Sequence, residues 1–437
     1  MIDLWLSLPA LAQDILKTAL LLCPGVLIGL FTIRGFAPWP LTSAILWRFR
    51  GTVVLFVLLI AVSVGIGIAL SAQERGLRHG TAMAADKFDL VVAAPGSELT
   101  AMFAAVYLQP SDMALLDGET FNDIATHEKV DFAAPLAFGD SYNTSAVVGT
   151  TAEFLVHLSD GNFEGRVWQT SEEAIVGTLV PLEIGDEFSP AHGEGEAAEE
   201  DVHEGHHLTV VGRMKPTGTP WDRAILVPIE TIWEVHGLAN GHRLEAGDQI
   251  GPPFDPAYFP GTPTIVVHPK ELWASYSLRS EFTRDAQTMA FFPGTVLSNL
   301  YQIMGDIRQA MSFMALVTQV LVAASVLLGL FILSRLFKRT IALLRAIGAP
   351  SRFVFAVVWS FGAVMLVAGS LLGLISGIGF AAVISTIVTE RTDIYISASL
   401  GWTEIQFIAG FVSIALGLAL LPAAMTLKND IVSSLRY

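Results

Sequence analysis

The chain has 437 residues, 52% hydrophobic and only 15% charged, where about 25% is usual for a soluble domain. Its net charge of −16 argues against nucleic acid as a partner, since a polyanion repels it. A single cysteine, Cys23, excludes an internal disulfide framework.

In chain order, the first apolar stretch is Ile15–Ile33, with Lys17 near its start and Pro24-Gly25 inside it. Its length is close to the minimum for a crossing. Two readings stay open: an extra crossing with its N-terminus outside, or a helix lying in the interface. Residues 1–35 are therefore an additional N-terminal hydrophobic segment. Residues 36–50 are basic and lead into Gly51–Ala72, an uncharged stretch long enough to cross a bilayer.

From Gln73 to Gly305 there are 12 Lys and Arg against 34 Asp and Glu, a net of 12 − 34 = −22. The remainder carries 25 − 12 = 13 basic and 41 − 34 = 7 acidic residues, a net of +6. Arg34, Arg48 and Arg50, then Arg335, Lys338, Arg339, Arg345 and Arg352, then Lys428 and Arg436 all fall in short segments flanking apolar spans. Such loops mark the cytoplasmic side, which puts the acidic block, residues 73–293, outside.

Within that block, Phe88–Ala94 and Thr264–His268 read as strands. Glu98–Leu108, behind a Ser97 cap, Asp112–Lys129 and Lys270–Arg284 read as helices. Residues 166–263 read as a β-rich insertion, with short strands at Glu173–Gly177, Leu208–Gly212 and Arg223–Pro228. Inside it, Ala191–His207 holds His192, His203, His206 and His207 among six acidic residues. Imidazole and carboxylate suit a divalent ion such as zinc; the competing reading is a solvated acidic loop. His127, His157, His236, His242 and His268 are scattered in sequence and form no cluster there.

Pro293-Gly294 opens a helical pattern. Leu297, Met304 and Met311 recur at heptad spacing, with Leu300 and Ile307 at companion positions, so residues 294–311 read as a short stalk. An amphipathic helix packed on its own domain is the alternative. Three more apolar spans follow within residues 312–437: Ser312–Ser334, Phe353–Val388 and Ile405–Met425. None of the four clear spans contains an ionisable residue, which counts against an ion-coupled carrier. Gly369, Gly373 and Gly377 fall on one helix face and allow close packing, within the chain or between subunits. Between the second and third clear spans, residues 338–349 read as a short amphipathic helix. Leu343, Leu344 and Ile347 are its apolar face, Arg339 and Arg345 flank it, and Gly348 then Pro350 end it.

The segment Lys338-Arg-Thr-Ile-Ala-Leu-Leu-Arg-Ala-Ile-Gly-Ala349 resembles the cytoplasmic motif of FtsX-like permeases, the family of macrolide-exporter and lipoprotein-release permeases. Trp47-Arg-Phe-Arg-Gly-Thr52 is similar to the family's elbow before its first span, and the tail from Leu421 to Arg436 also resembles it. Thr340 stands where the family often has an acidic residue, and Ala342 where it often has glycine. The resemblance implies an α-helical membrane protein with one large extracytoplasmic α+β domain, porter-like, in a bacterial inner membrane. It further implies a permease subunit of an ABC transporter, a homodimer among membrane lipids, served by separate cytoplasmic ATPase subunits that hold ATP and magnesium. A periplasmic partner or lipoprotein belongs to the same expectation. Residues 338–349 would then be the ATPase-coupling helix, and the work done outside would be lipoprotein or lipid release or export of a periplasmic substrate. The chain has no GxxxxGK[ST] phosphate loop, so hydrolysis is expected on the partner, with no cofactor bound here. The competing class is a non-transporting membrane receptor or scaffold with an acidic, metal-binding outer domain.

Overall fold

The computed structural model describes residues 8–109, 111–192, 206–302, 343–392 and 399–427, with single positions between 309 and 331. The chain divides into two compact units. One comprises Met1–Gly76, Asp306–Thr386 and Ser397–Tyr437; the other comprises Leu77–Gly305 with Ile387–Ile396.

Helices α1 (Ala10–Ile33), α2 (Trp39–Arg48) and α3 (Arg50–Ala85) open the chain. Strand β1 (Leu90–Ala93) follows, then α4 (Glu98–Tyr107), whose first turn is capped by the Ser97 hydroxyl accepting from the Thr100 amide. Helix α5 (Gly118–Ala125) is shorter than the expected 112–129. Asp117 caps it, and just before the cap Leu116 bridges to Thr262, so the preceding residues are extended rather than helical. Strands β2 (Val130–Tyr142) and β3 (Ser145–Thr150) form a hairpin about Asn143, which takes a positive φ. Next come α6 (Ala152–Ser159), β4 (Phe163–Gly165), β5 (Glu173–Val176), β6 (Glu187–Phe188), β7 (Ala191–His192), β8 (Leu208–Met214) and β9 (Ile225–Pro228). Helix α7 (Ile229–Val235), β10 (Thr264–Pro269), α8 (Leu272–Arg284) and β11 (Met289–Phe291) follow, and residues 293–302 are helical.

The strands join one mixed sheet in the order β11-β1-β10-β2-β3-β9-β5-β8-β4, with β6 on β8 and β7 on β2. The strands of residues 166–263 are continuous with the flanking ones through the long β2 and its hairpin partner β3. Alternate side chains face opposite sides of a strand. Leu90, Val92, Ile265, Val267, Ile225 and Val227 enter one core with α5, α7 and α8; Val91, Ala93, Val266 and Leu226 enter a second with α4 and α6. A sheet covered on both faces explains why β1, β9 and β10 are apolar runs rather than alternating patterns.

The other unit adds α9 (Ser351–Thr392), α10 (Trp402–Leu418) and α11 (Leu420–Leu427). Ala10–Ile33, Arg50–Ala85, Ser351–Thr389 and Trp402–Met425 are each long and apolar enough to cross a membrane. At about 1.5 Å per residue, the 42 residues of α9 extend about 63 Å, twice a hydrocarbon core of about 30 Å.

Candidate functional site

Among the described residues of the membrane unit, two pairs of helices run parallel. Along α3 and α9, Gly369 lies against Ile60, Gly373 against Val64 and Ala61, and Gly377 against Gly65 and Ile68. The three glycines present one face, because four-residue spacing nearly matches the helical turn. Along α1 and α10, the Gln406 amide donates to Asp14 Oδ1 at 3.0 Å, and the Gly25 amide donates to Ser413 Oγ at 2.8 Å. Gly25 follows Pro24, where the helical ladder is interrupted and a side chain of a neighbour can enter it. The Trp359 indole N–H donates to the Leu416 carbonyl at 3.0 Å, joining the start of α9 to the end of α10. Since Trp359 is near the N-terminus of α9 and Leu416 near the C-terminus of α10, these two run antiparallel.

Glu404 is 2% exposed in the first turn of α10. It pairs with Arg75 of α3 and accepts from the Gly401 amide at 2.9 Å. Arg75 also donates to the Ser399 carbonyl at 3.3 Å, and Ser385 of α9 donates to Gln73 at 3.1 Å. The far ends of three apolar helices are thus tied by polar groups at one level.

Within the sheet unit, the last turns of α3 lie beside helical residues 293–302. Thr81 hydrogen-bonds the Tyr301 hydroxyl, and Arg78 lies over the Tyr301 ring at 5.2 Å. Burial raises the pKa values of Tyr301 and of Tyr107, whose hydroxyl donates to the Thr81 carbonyl at 3.2 Å. Leu297 is buried in the same core as Ala84 and Ala85 of α3, and Leu300 is half-buried. Of the expected stalk positions, Met304, Ile307 and Met311 lie outside the described residues, as does the span 312–334 apart from single positions.

In the membrane unit, residues 343–346 are helical, with Leu343 52% and Ile347 81% exposed and Leu344 and Arg345 half-buried. Gly348 takes φ +102°, the left-handed turn that ends a helix and that a side chain would strain. Arg339 lies outside the described residues.

Of the acidic, histidine-rich segment, His192 contributes its backbone to β7, opposite Asp140 of β2. His206 and His207 are exposed, with His207 Nδ1 3.1 Å from Ser189 Oγ, and His203 lies outside the described residues. The scattered histidines each have an acidic neighbour: His127 with Glu281, His236 with Asp140 and His242 with Glu230. Contrary to the sequence expectation, His157 and His268 are not separate; both stand beside Asp89. The fold brings them together because α6 packs on β2, which pairs with β10, and β10 with β1, a juxtaposition no local pattern signals. Burial, then the neighbouring His268, lowers the His157 pKa. Glu230 is 1% exposed, and burial raises its carboxyl pKa, opposed by the Gly251 amide and His242 that hydrogen-bond it.

Residues 307–431 match the model of the FtsX-like permease C-terminal domain. No curated protein matches the chain. Among solved structures, the crystal structure of the periplasmic region of MacB from Actinobacillus actinomycetemcomitans is similar, at 9% identity and a TM-score of 0.30, over 48% of this chain and 92% of that one.

Proposed function

We propose that this FtsX-like permease is the membrane subunit of an ABC transporter, relaying movement from cytoplasmic ATPase subunits to its large outer domain. The observation that carries the reading is the match of residues 307–431 to the permease domain. The helix directions support it. With the basic flanks inside, α3 and α9 run outward and α10 returns inward. α1, parallel to α10, then also runs inward and ends at Arg34 on the basic side, which favours a crossing over an interfacial helix. The sheet unit is then periplasmic, in a bacterial inner membrane.

Helix α3 continues without a break from the bilayer to Ala84 and Ala85, which are core residues of the sheet unit. A helix anchored in a packed core transmits displacement rather than absorbing it. Exposed Leu343 and Ile347, ended by Gly348, form an apolar plug for a groove on an ATPase. The chain acts as a homodimer served by two ATPase subunits, and releases or exports a lipid, lipoprotein or other periplasmic substrate without a charged path through the bilayer.

The test is co-purification with candidate ATPases and ATPase assay in lipid nanodiscs. The wild type is expected to hold an ATPase and alter its turnover; Leu343→Asp and Ile347→Asp should each weaken the complex at least about tenfold, as burying an unpaired charge at an interface does. A folded chain that retains no ATPase would overturn the reading and leave a receptor or scaffold in its place.

A further inference from the structure

We infer that the outer domain binds a divalent transition-metal ion, of the zinc or cobalt kind, through Asp89, His157 and His268. The three ligand atoms all lie within 4.8 Å of one another, and each residue is half-buried, so an ion is reachable yet partly shielded from water. His268 Nδ1 is 2.5 Å from Asp89 Oδ2, and His157 Nε2 is 3.9 Å from the same oxygen. Ligand atoms about 2.0–2.1 Å from a tetrahedral ion stand about 3.3–3.4 Å apart. The first pair must therefore open and the second close by less than an ångström, within reach of side-chain rotation.

The donor set is chemically apt. Two neutral imidazoles and one carboxylate offset half of a divalent ion's charge, suit zinc, and leave a fourth position for water or an incoming ligand. The backbone supplies the framework. Asp89 immediately precedes β1 and His268 lies on β10, which is paired with β1 from Leu90 to Ala93. His157 comes down from α6, whose Phe154, Leu155 and Leu158 are fixed in the core below. Phe132, opposite His268 on β2, stacks on its ring at 5.2 Å and meets His157 edge-on at 5.4 Å, limiting how far either imidazole turns.

His157 Nε2 faces the Lys87 carbonyl at 3.0 Å, a contact that a metal ion would replace. The Lys87 ammonium itself is directed to Asp160 at 2.5 Å, where its charge is neutralised. Metal would therefore join α6 to β1 and β10 just beyond the end of α3. His192 stands apart from this site, its backbone pairing with Asp140 of β2, eight residues along the strand from Phe132.

The experiment is cobalt(II) and zinc(II) titration of the full chain in nanodiscs, in a background where His192, His203, His206 and His207 are all replaced by Ser. One cobalt per chain is expected, with visible absorption bands of a low-symmetry nitrogen–oxygen site and a rise in Tm on adding zinc. His157→Ala and His268→Ala should each lower affinity about 100-fold or more, since even outer partners of a metal site are worth 10–100-fold. His157→Ala, at a half-exposed helical position, serves if His268→Ala unfolds; equal Tm without metal certifies its fold. A background protein that binds no cobalt, or variants that bind it as tightly, overturns the site.

Discussion

A Cβ placed on Gly377 would stand 2.8 Å from the carbonyl oxygen of Gly65, so these two glycines bring the backbones of α3 and α9 into contact. Gly373 has the same relation to Val64, at 2.7 Å from its Cβ. In a bilayer no hydrophobic effect pulls helices together, so close backbone approach is itself a large part of the adhesion.

Gly377→Leu should accordingly force α3 and α9 apart. Overpacking of this kind costs about 1–3 kcal/mol. Thermal unfolding in nanodiscs is expected to show a lowered Tm for Gly377→Leu and Gly373→Leu. Gly379→Leu is the control, as its Cβ meets nothing within 4 Å among the described residues. Equal Tm for all three would show that the contact is not under packing strain.

The Arg75–Glu404 pair is a polar anchor at the far ends of α3 and α10. Removing Arg75 leaves a carboxylate that is 2% exposed and that keeps, among the described residues, only the Gly401 amide as a hydrogen-bond donor. A hydrogen bond to a charged group is worth about 1.5–3 kcal/mol, and the 36% exposure of the Arg75 side chain favours the lower end. Arg75→Ala and Glu404→Ala should each destabilise the chain, and the double variant should lose less than their sum. A double-mutant cycle with a coupling near zero would remove the pair from the account of stability.

Glu230 makes a pH-dependent contribution. Its folded pKa lies above the ordinary value of 4.5, because burial disfavours the carboxylate. The stability it supplies is therefore complete below about pH 4.5 and falls as pH rises through the raised folded value. Glu230→Gln keeps an oxygen to accept from the Gly251 amide, which now lies 2.6 Å from Oε1, and removes the ionisation. The variant's Tm relative to wild type should thus improve between pH 4.5 and pH 8. A difference that stays constant across that range would mean Glu230 does not titrate in the folded domain over it.

Patterns confined to a few residues were readable in the sequence. Ser97 before Glu98–Tyr107 marks a cap because its hydroxyl and the Thr100 amide are three residues apart, and Gly348 marks a helix end because only its own φ matters. The hairpin of β2 and β3 was missed, since Val130–Tyr142 carries both buried and exposed residues in no clean alternation. Its register slips between Ala137 and Asp140, which shifts the inward set partway along the strand. Met304, Ile307 and Met311 keep their heptad spacing as a sequence fact, while Leu297 is committed to the domain core, where a periodicity alone cannot assign a partner.

What the sequence determined by itself was the division into bilayer and water. Hydrophobicity summed over some twenty residues, and the side on which Arg and Lys collect, act independently of how helices later pack. The tertiary structure decided which polar groups meet. Glu404 sits one residue before the apolar run that begins at Ile405, and nothing local links it to Arg75, which is far away in the chain. Asp89, His157 and His268 likewise come from three separate places in the chain, brought together only when the sheet and α6 have assembled. Such encounters depend on sheet order and crossing geometry, which are set by the whole core and not by any window of the chain.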